Sequence, residues 1–215
     1  KYLALCKETR EQVSEDKRGI FVINDLKKIE MEILSQQRNL PRNITSKNSV
    51  EILSVKPSLY NQAMNYTGIL GYYNPFTTES QFNPNLPSTQ LPFTLAHEMS
   101  HQLGFAREQE ASFIAFLCAK NSENQDLKYS IQLYVLKSLL RNLSIKEESF
   151  VKSILSNYSD KMKKDRNNEL EFLKNHESVL ADVFGFTNDL FLKSNQQDGS
   201  ITYSYFITLV ALYES

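Results

Sequence analysis

From Phe93 to the C-terminus the chain contains no proline, and apolar residues return every three to four positions in block after block. That is the period of a helix with one buried face. It predicts helices over roughly 93–103, 108–121, 126–142, 146–157, 160–175, 177–194 and 202–214, broken at Gly104, at Gly185 and at the turn Gln197-Asp198-Gly199-Ser200. Upstream, Leu26, Ile29, Ile33 and Leu34 show the same spacing, so Asp25 to Leu34 reads as an amphipathic surface helix. All six prolines lie between Pro41 and Pro92. Proline removes a helix hydrogen bond and clashes with the preceding turn, so this zone has to be built differently. Its β-favouring pieces Ser49–Val55 and Tyr66–Tyr73, flanked by turn formers, predict strands of a small sheet. No internal repeat or low-complexity tract interrupts the pattern.

Composition narrows the class. A chain of 215 residues with 41% hydrophobic side chains is long enough to bury a real core. Lys and Arg total 24 against 25 acidic residues, so no net field draws in nucleic acid or an anionic membrane surface. Cys6 and Cys118 are far apart and form no CxxC pair, which argues against a disulfide framework and against a cysteine zinc knuckle. No apolar run approaches the roughly 20 residues needed to cross a bilayer, and no basic-then-apolar leader is present. The chain opens on Lys1-Tyr2-Leu3 without an initiator methionine, the expectation being an N-terminus made by processing or by design.

The chemistry concentrates in Leu95-Ala96-His97-Glu98-Met99-Ser100-His101-Gln102-Leu103-Gly104, an HExxH that holds two of the three histidines. Imidazoles four residues apart on a helix stand one turn above each other and can reach one ion. Glu98 projects about 100° around the helix from His97, near the ion but off the ligand face, where it can act as general base on a metal-bound water. The bland alternative is a solvated His/Glu face. Gly104 can end the helix in a left-handed cap, and the next helix opens with Glu108-Gln109-Glu110-Ala111, bringing carboxylates to its start. A catalytic zinc takes three protein ligands and keeps one position open. Residues two apart on a helix point about 200° from each other, so Glu108 and Glu110 cannot both ligate. Glu108 is favoured because the small Ala111 follows it, with Glu110 the alternative. Arg107 stands where a metzincin has its third histidine, which excludes that subclass.

Taken with Gly71-Tyr72-Tyr73-Asn74-Pro75-Phe76-Thr77, Leu91-Pro92-Phe93-Thr94, Tyr129-Ser130, Phe191-Leu192-Lys193-Ser194-Asn195 and Asp198-Gly199, the motif region resembles a little-characterised bacterial family of membrane-anchored HExxH zinc peptidases, over most of residues 56–215. The resemblance implies a gluzincin-like site: Zn2+ on His97, His101 and Glu108, Glu98 as base, and an N-terminal membrane anchor outside this chain, with the domain itself extracytoplasmic. One departure stands out. Related families place Asn or Asp four residues after the glutamate ligand, where this chain has Ser112, so support of the ligands from behind is in question.

The expected architecture is therefore α+β and mostly helical, with a zincin-like small sheet packed on the HExxH helix. Residues 1–48 form an N-terminal helical region, 49–125 the catalytic core, and 126–215 a helical subdomain that makes the other wall of a cleft. A strand from Thr67 to Tyr73 with Gly68, Gly71 and Tyr72 would offer its free edge to an extended peptide; a plain core strand with a flexible glycine pair is the competing reading. Tyr203 and His176 are candidate oxyanion donors, although each residue type is more often structural. The run Lys161-Met162-Lys163-Lys164-Asp165-Arg166 reads as a solvated helix face, and the aromatic groups Phe184/Phe186/Phe191 and Tyr203/Tyr205/Phe206 as helix packing. The expected activity is hydrolysis of a peptide or protein substrate. A catalytically inactive peptidase-like binding or regulatory module, and a helical interaction domain without metal, are the rivals. Oligomeric state is left open by the sequence.

Overall fold

A computed structural model describes residues 1–42, 44–45, 55–74, 76–144, 146–176 and 202–215, with 202–204 as backbone. The protein is α+β and mostly helical. The helices are α1 (Tyr2–Arg10), α2 (Leu26–Arg38), α3 (Asn61–Thr67), α4 (Leu91–Gln102), α5 (Glu108–Lys120), α6 (Gln125–Leu143), α7 (Glu148–Ser156), α8 (Asp160–Asn175) and α9 (Thr202–Glu214). Three start on a side chain that satisfies an orphan backbone donor: Asp25 accepts from Lys28 N–H, Asn124 from Leu127 N–H and Ser159 from Met162 N–H.

The proline-rich zone gives a three-stranded sheet of β1 (Lys56–Pro57), β2 (Gly71–Asn74) and β3 (Glu79–Phe82), in the order β1-β3-β2. β1 runs parallel to β3 and β2 antiparallel to it, with Gly71 opposite Phe82 and Asn74 opposite Glu79. The expected strand Tyr66–Tyr73 is corrected in its first half. Residues up to Thr67 are helical, and Gly68, at φ +71°, ends α3 in the left-handed conformation that glycine adopts without strain. Ser49–Ser54 of the other expected strand, the helix 177–194 with Phe184, Phe186 and Phe191, and the turn at Gln197–Ser200 lie outside the described residues.

α4 is the axis of the molecule. One side lies on β2 and β3, and the other packs on α2, α5 and α6. Leu95, Ala96 and Met99 are buried, as is nearly everything else on this helix. Complete burial of each large apolar side chain contributes about 1.5–3 kcal/mol, so α4 is fixed from all sides. Tyr2 and Cys6 of α1, Ile29 and Ile33 of α2, Ile131 of α6 and Phe206 and Val210 of α9 all join one continuous core with α4, which therefore runs through all three sequence regions.

The charge run on α8 is solvated at Lys163, Lys164 and Arg166 but not at Asp165, which is 1% exposed. Its carboxylate accepts from Arg10 Nε at 2.6 Å and Nη2 at 3.2 Å, from Tyr129 Oη at 2.6 Å and from the Phe21 backbone N–H at 2.8 Å. The network ties α1, α6 and α8 together from inside. No helix among the described residues is long and apolar enough to cross a membrane.

Candidate metal centre

The position of α4 follows from hydrogen bonds at both ends. Pro92 sits in its first turn, where a missing N–H costs nothing. The Phe93 N–H donates to Ser130 Oγ of α6 at 3.1 Å, and that hydroxyl donates onward to Thr89 O at 2.7 Å. Thr89 in turn donates to Glu169, which Lys137 also reaches at 2.8 Å. At the far end Gly104, with φ +98°, reverses the chain, and its N–H bonds to His101 O at 2.9 Å. α5 then starts at Glu108, whose carboxylate at a helix N-terminus is favoured by the exposed N–H dipoles.

This turn brings three ligating groups together. His97 Nε2 stands 3.1 Å from His101 Nε2 and 3.0 Å from Glu108 Oε2, and His101 Nε2 is 3.8 Å from Glu108 Oε1. All three groups lie within 4.8 Å of one another. The opposite ring nitrogens are occupied: His101 Nδ1 donates to the Phe105 carbonyl at 2.7 Å, and His97 Nδ1 is hydrogen-bonded to Ser112 Oγ at 3.1 Å. A proton held on Nδ1 leaves the Nε2 lone pair free for an ion. Ser112, where related families carry Asn or Asp, thus stands behind His97 with its hydroxyl on the ring. Glu110 is not part of the cluster. Its side chain is 43% exposed and faces Arg107 at 3.9 Å.

Glu98 is 6% exposed and lies under β2. A methyl group at Gly71 would come within 2.6 Å of Glu98 Cδ, so glycine is required for strand and carboxylate to approach so closely. Ser80 Oγ of β3 pins the same turn by donating to Glu98 O at 2.9 Å. Tyr73 stacks on the His101 ring at 6.1 Å, and Phe93 leans on His97 at 5.8 Å. The sequence reading did not place Ser80, Tyr73 or Phe93 at the site, and the composition of 79–82, Glu-Ser-Gln-Phe, carried no strand signal that would have brought Ser80 there.

Burial pushes the Glu98 carboxyl up to about 7, partly opposed by the charge of His97 and reinforced by that of Glu108. His101 is pushed down to about 4, first by burial and then by His97. Burial also works against a charge on His97, but its hydrogen bond to Glu108 and the nearby carboxylates outweigh this and raise it. Burial would raise Glu108, yet the hydrogen bond and charge of His97 hold it below the ordinary range.

The open edge of the sheet runs beside this cluster. Asn83 N–H donates to Leu70 O at 2.9 Å, making Leu70 and Asn83 a bonded pair in the antiparallel register. Bonded pairs alternate along such a ladder, so Tyr72 and Asn74 face β3 with their backbone groups, while Gly71 and Tyr73 turn theirs to the open edge. Of the expected peptide-binding residues, Gly71 and Tyr72 lie on this strand and Gly68 does not.

Of the two oxyanion candidates, only His176 has a described side chain, and its contacts are elsewhere. His176 caps α8, with Nδ1 donating to Phe172 O at 2.7 Å and its ring against Tyr66 and Phe172. It lines a polar groove of about 380 Å³ with Arg18, Asn85 and Glu171. The side chain of Tyr203 lies outside the described residues.

The match that bears on identity covers the sheet, α1 to α8 and most of α9. The chain belongs to the family described as "Protein of unknown function (DUF3810)". The family model matches residues 1–211, and so takes in α4, α5 and the sheet together. No curated protein and no solved structure matches the chain. The DUF3810 description assigns no reaction, so the chemistry has to be argued from the side chains.

Proposed function

We propose that the chain is a zinc-dependent metallopeptidase with a zincin-like core, in which His97, His101 and Glu108 hold the ion and Glu98 is the general base. One observation carries the reading: two imidazole Nε2 atoms and a carboxylate converge while both Nδ1 atoms are engaged behind them. Tetrahedral ligands about 2.05 Å from one ion stand about 3.3 Å apart. The Nε2–Nε2 separation of 3.1 Å and the His97 Nε2–Glu108 Oε2 separation of 3.0 Å are close to that value, and one ligand atom from each of the three residues lies within 4.8 Å of the others, a set that zinc can draw together. Zinc bound here would supply a Lewis acid and lower the pKa of its water to about 7.

The rest of the work falls to the protein. Glu98 takes a proton from the attacking water and returns it to the departing nitrogen, a task suited to a carboxyl poised near neutrality. Gly71 lets that carboxylate sit directly under the strand. The outward N–H and C=O groups of Gly71 and Tyr73 pair with an extended peptide and lay its backbone beside Glu98, which favours peptides over small esters. On the resemblance alone, the reading includes a membrane anchor outside this chain and an extracytoplasmic domain.

Purified protein is expected to carry about one zinc per chain. Glu98→Gln is expected to keep the metal and to lose about 10²–10⁴-fold in cleavage of a peptide library. A protein that takes up no zinc removes the peptidase reading. Zinc with equal cleavage by both forms removes Glu98 as base, and zinc without cleavage by either leaves the inactive binding module.

A further inference from the structure

The surface around β2 is chemically one-sided. From Pro57 to Ala96 the sole Asp, Glu, Lys or Arg is Glu79, although charged residues make up 23% of the chain. Glu79 is itself paired, with Lys56 at 2.7 Å. On β2 and beside it, at the edge left open among the described residues, Tyr72 is 52% exposed, and Ile69, Leu70 and Phe76, which flank the strand, are 36%, 40% and 97% exposed. Single exposed apolar residues are ordinary, whereas a row of them along one strand edge marks a contact surface.

We infer that the segment held along β2 is extended and uncharged, with large apolar side chains lying against Tyr72 and Phe76. The inference takes the extended-peptide reading above as its starting point and adds the class of substrate. A charged side chain laid on Leu70 and Tyr72 would lose hydration, and the one charge that residues 57–96 offer, Glu79, is already paired with Lys56. An apolar one gains by leaving water. A bilayer is the other apolar partner such a surface meets. Burying this edge in hydrocarbon would strand the outward N–H and C=O groups of Gly71 and Tyr73, which a peptide strand satisfies.

The test uses zinc-loaded Glu98→Gln protein and fluorescein-labelled Gly/Ser peptides whose central pair is Leu-Phe, Lys-Lys or Glu-Glu, with binding read by anisotropy and cleavage read with the native chain. The Leu-Phe peptide is expected to bind more than about tenfold tighter than either charged one, and Tyr72→Glu to erase that margin with zinc content unchanged. Equal affinities, a preference for a charged peptide, or a margin that survives Tyr72→Glu overturns the inference. So does binding to neutral phosphatidylcholine vesicles that Phe76→Ser abolishes while peptide selection stays as it was. Selection without cleavage by the native chain would sink the hydrolase and leave the inference standing, and cleavage without selection would do the reverse.

Discussion

Among the described residues, two of the buried clusters of ionisable side chains are built on opposite plans. At Asp165 every carboxylate oxygen is met by a donor, from Arg10, Tyr129 and the Phe21 backbone, so the network closes on itself. At His97, His101 and Glu108 the outer nitrogens are held and the inner ones are turned toward each other. A closed network has nothing left to bind. Two Nε2 atoms at 3.1 Å instead repel unless a proton or a metal stands between or beside them, and that residual demand separates a site from a structural pair.

The sharpest way to break the comparison is to remove one member of each. Asp165→Ala leaves the Arg10 guanidinium, which is 0% exposed, with only the partly exposed Glu15 at 3.3 Å as counter-charge, and breaking a buried pair of this kind costs about 3–5 kcal/mol. Urea unfolding of the metal-free variant is expected to show that loss, with whatever protein stays folded still binding zinc. His101→Ala is expected to do the opposite, abolishing zinc uptake while the metal-free unfolding midpoint moves far less. A metal-free His101→Ala protein as unstable as Asp165→Ala would mean that both clusters are structural.

The contrast also explains what the sequence could reveal. HExxH announces itself because ligand spacing and helix period are the same fact, and Gly104 followed by Glu108 locates the returning helix. The proline-free half carries uninterrupted periodicity, so α4, α5, α6, α7 and α8 fall within a few residues of their expected bounds. Asp165 was hidden because a charge inside a run of charges looks solvated, and its partner Arg10 is 155 residues away. The last two residues of α3 were read as strand because Tyr66 and Thr67 are β formers, yet the turn at Gly68 and the packing of Met64 override that propensity. β3 contains Ser80 and Gln81 where β-branched residues would have signalled a strand, and its identity comes from pairing on both sides. Glu108 over Glu110 was a question of side-chain direction, and it was open until the ion pair of Glu110 with Arg107 could be seen.

A finer test concerns the hydroxyl behind His97. Partners that hold the non-ligating nitrogen of a metal-bound histidine are typically worth about 10–100-fold in metal affinity. Ser112→Ala is expected to weaken zinc binding by that factor in a chelator competition, Ser112→Thr to restore most of it, and the unfolding midpoint of metal-free protein to change little. Loss of stability without loss of affinity would make Ser112 a packing residue and would leave His97 oriented by its own helix alone.

The smallest effect separates the clusters by pH. Burial pushes the thiols of Cys6 and Cys118 from 9.0 up to about 12, and burial together with Asp165 raises the Tyr129 hydroxyl as well. Unfolded thiols ionise near 9 while the folded ones stay protonated until about 12, so the stability they contribute is complete below pH 9 and is lost as pH rises toward 12. Between pH 8 and 10 each cysteine should account for about 1.4 kcal/mol of lost unfolding free energy, and a Cys6→Ala/Cys118→Ala protein should lose correspondingly less. At the candidate metal cluster Glu98 sits at about 7 and His101 at about 4, both below that window. Zinc affinity that fell in step with stability between pH 8 and 10, and recovered in the cysteine-free protein, would show that the core around α1 and α6 and the site on α4 unfold as one unit.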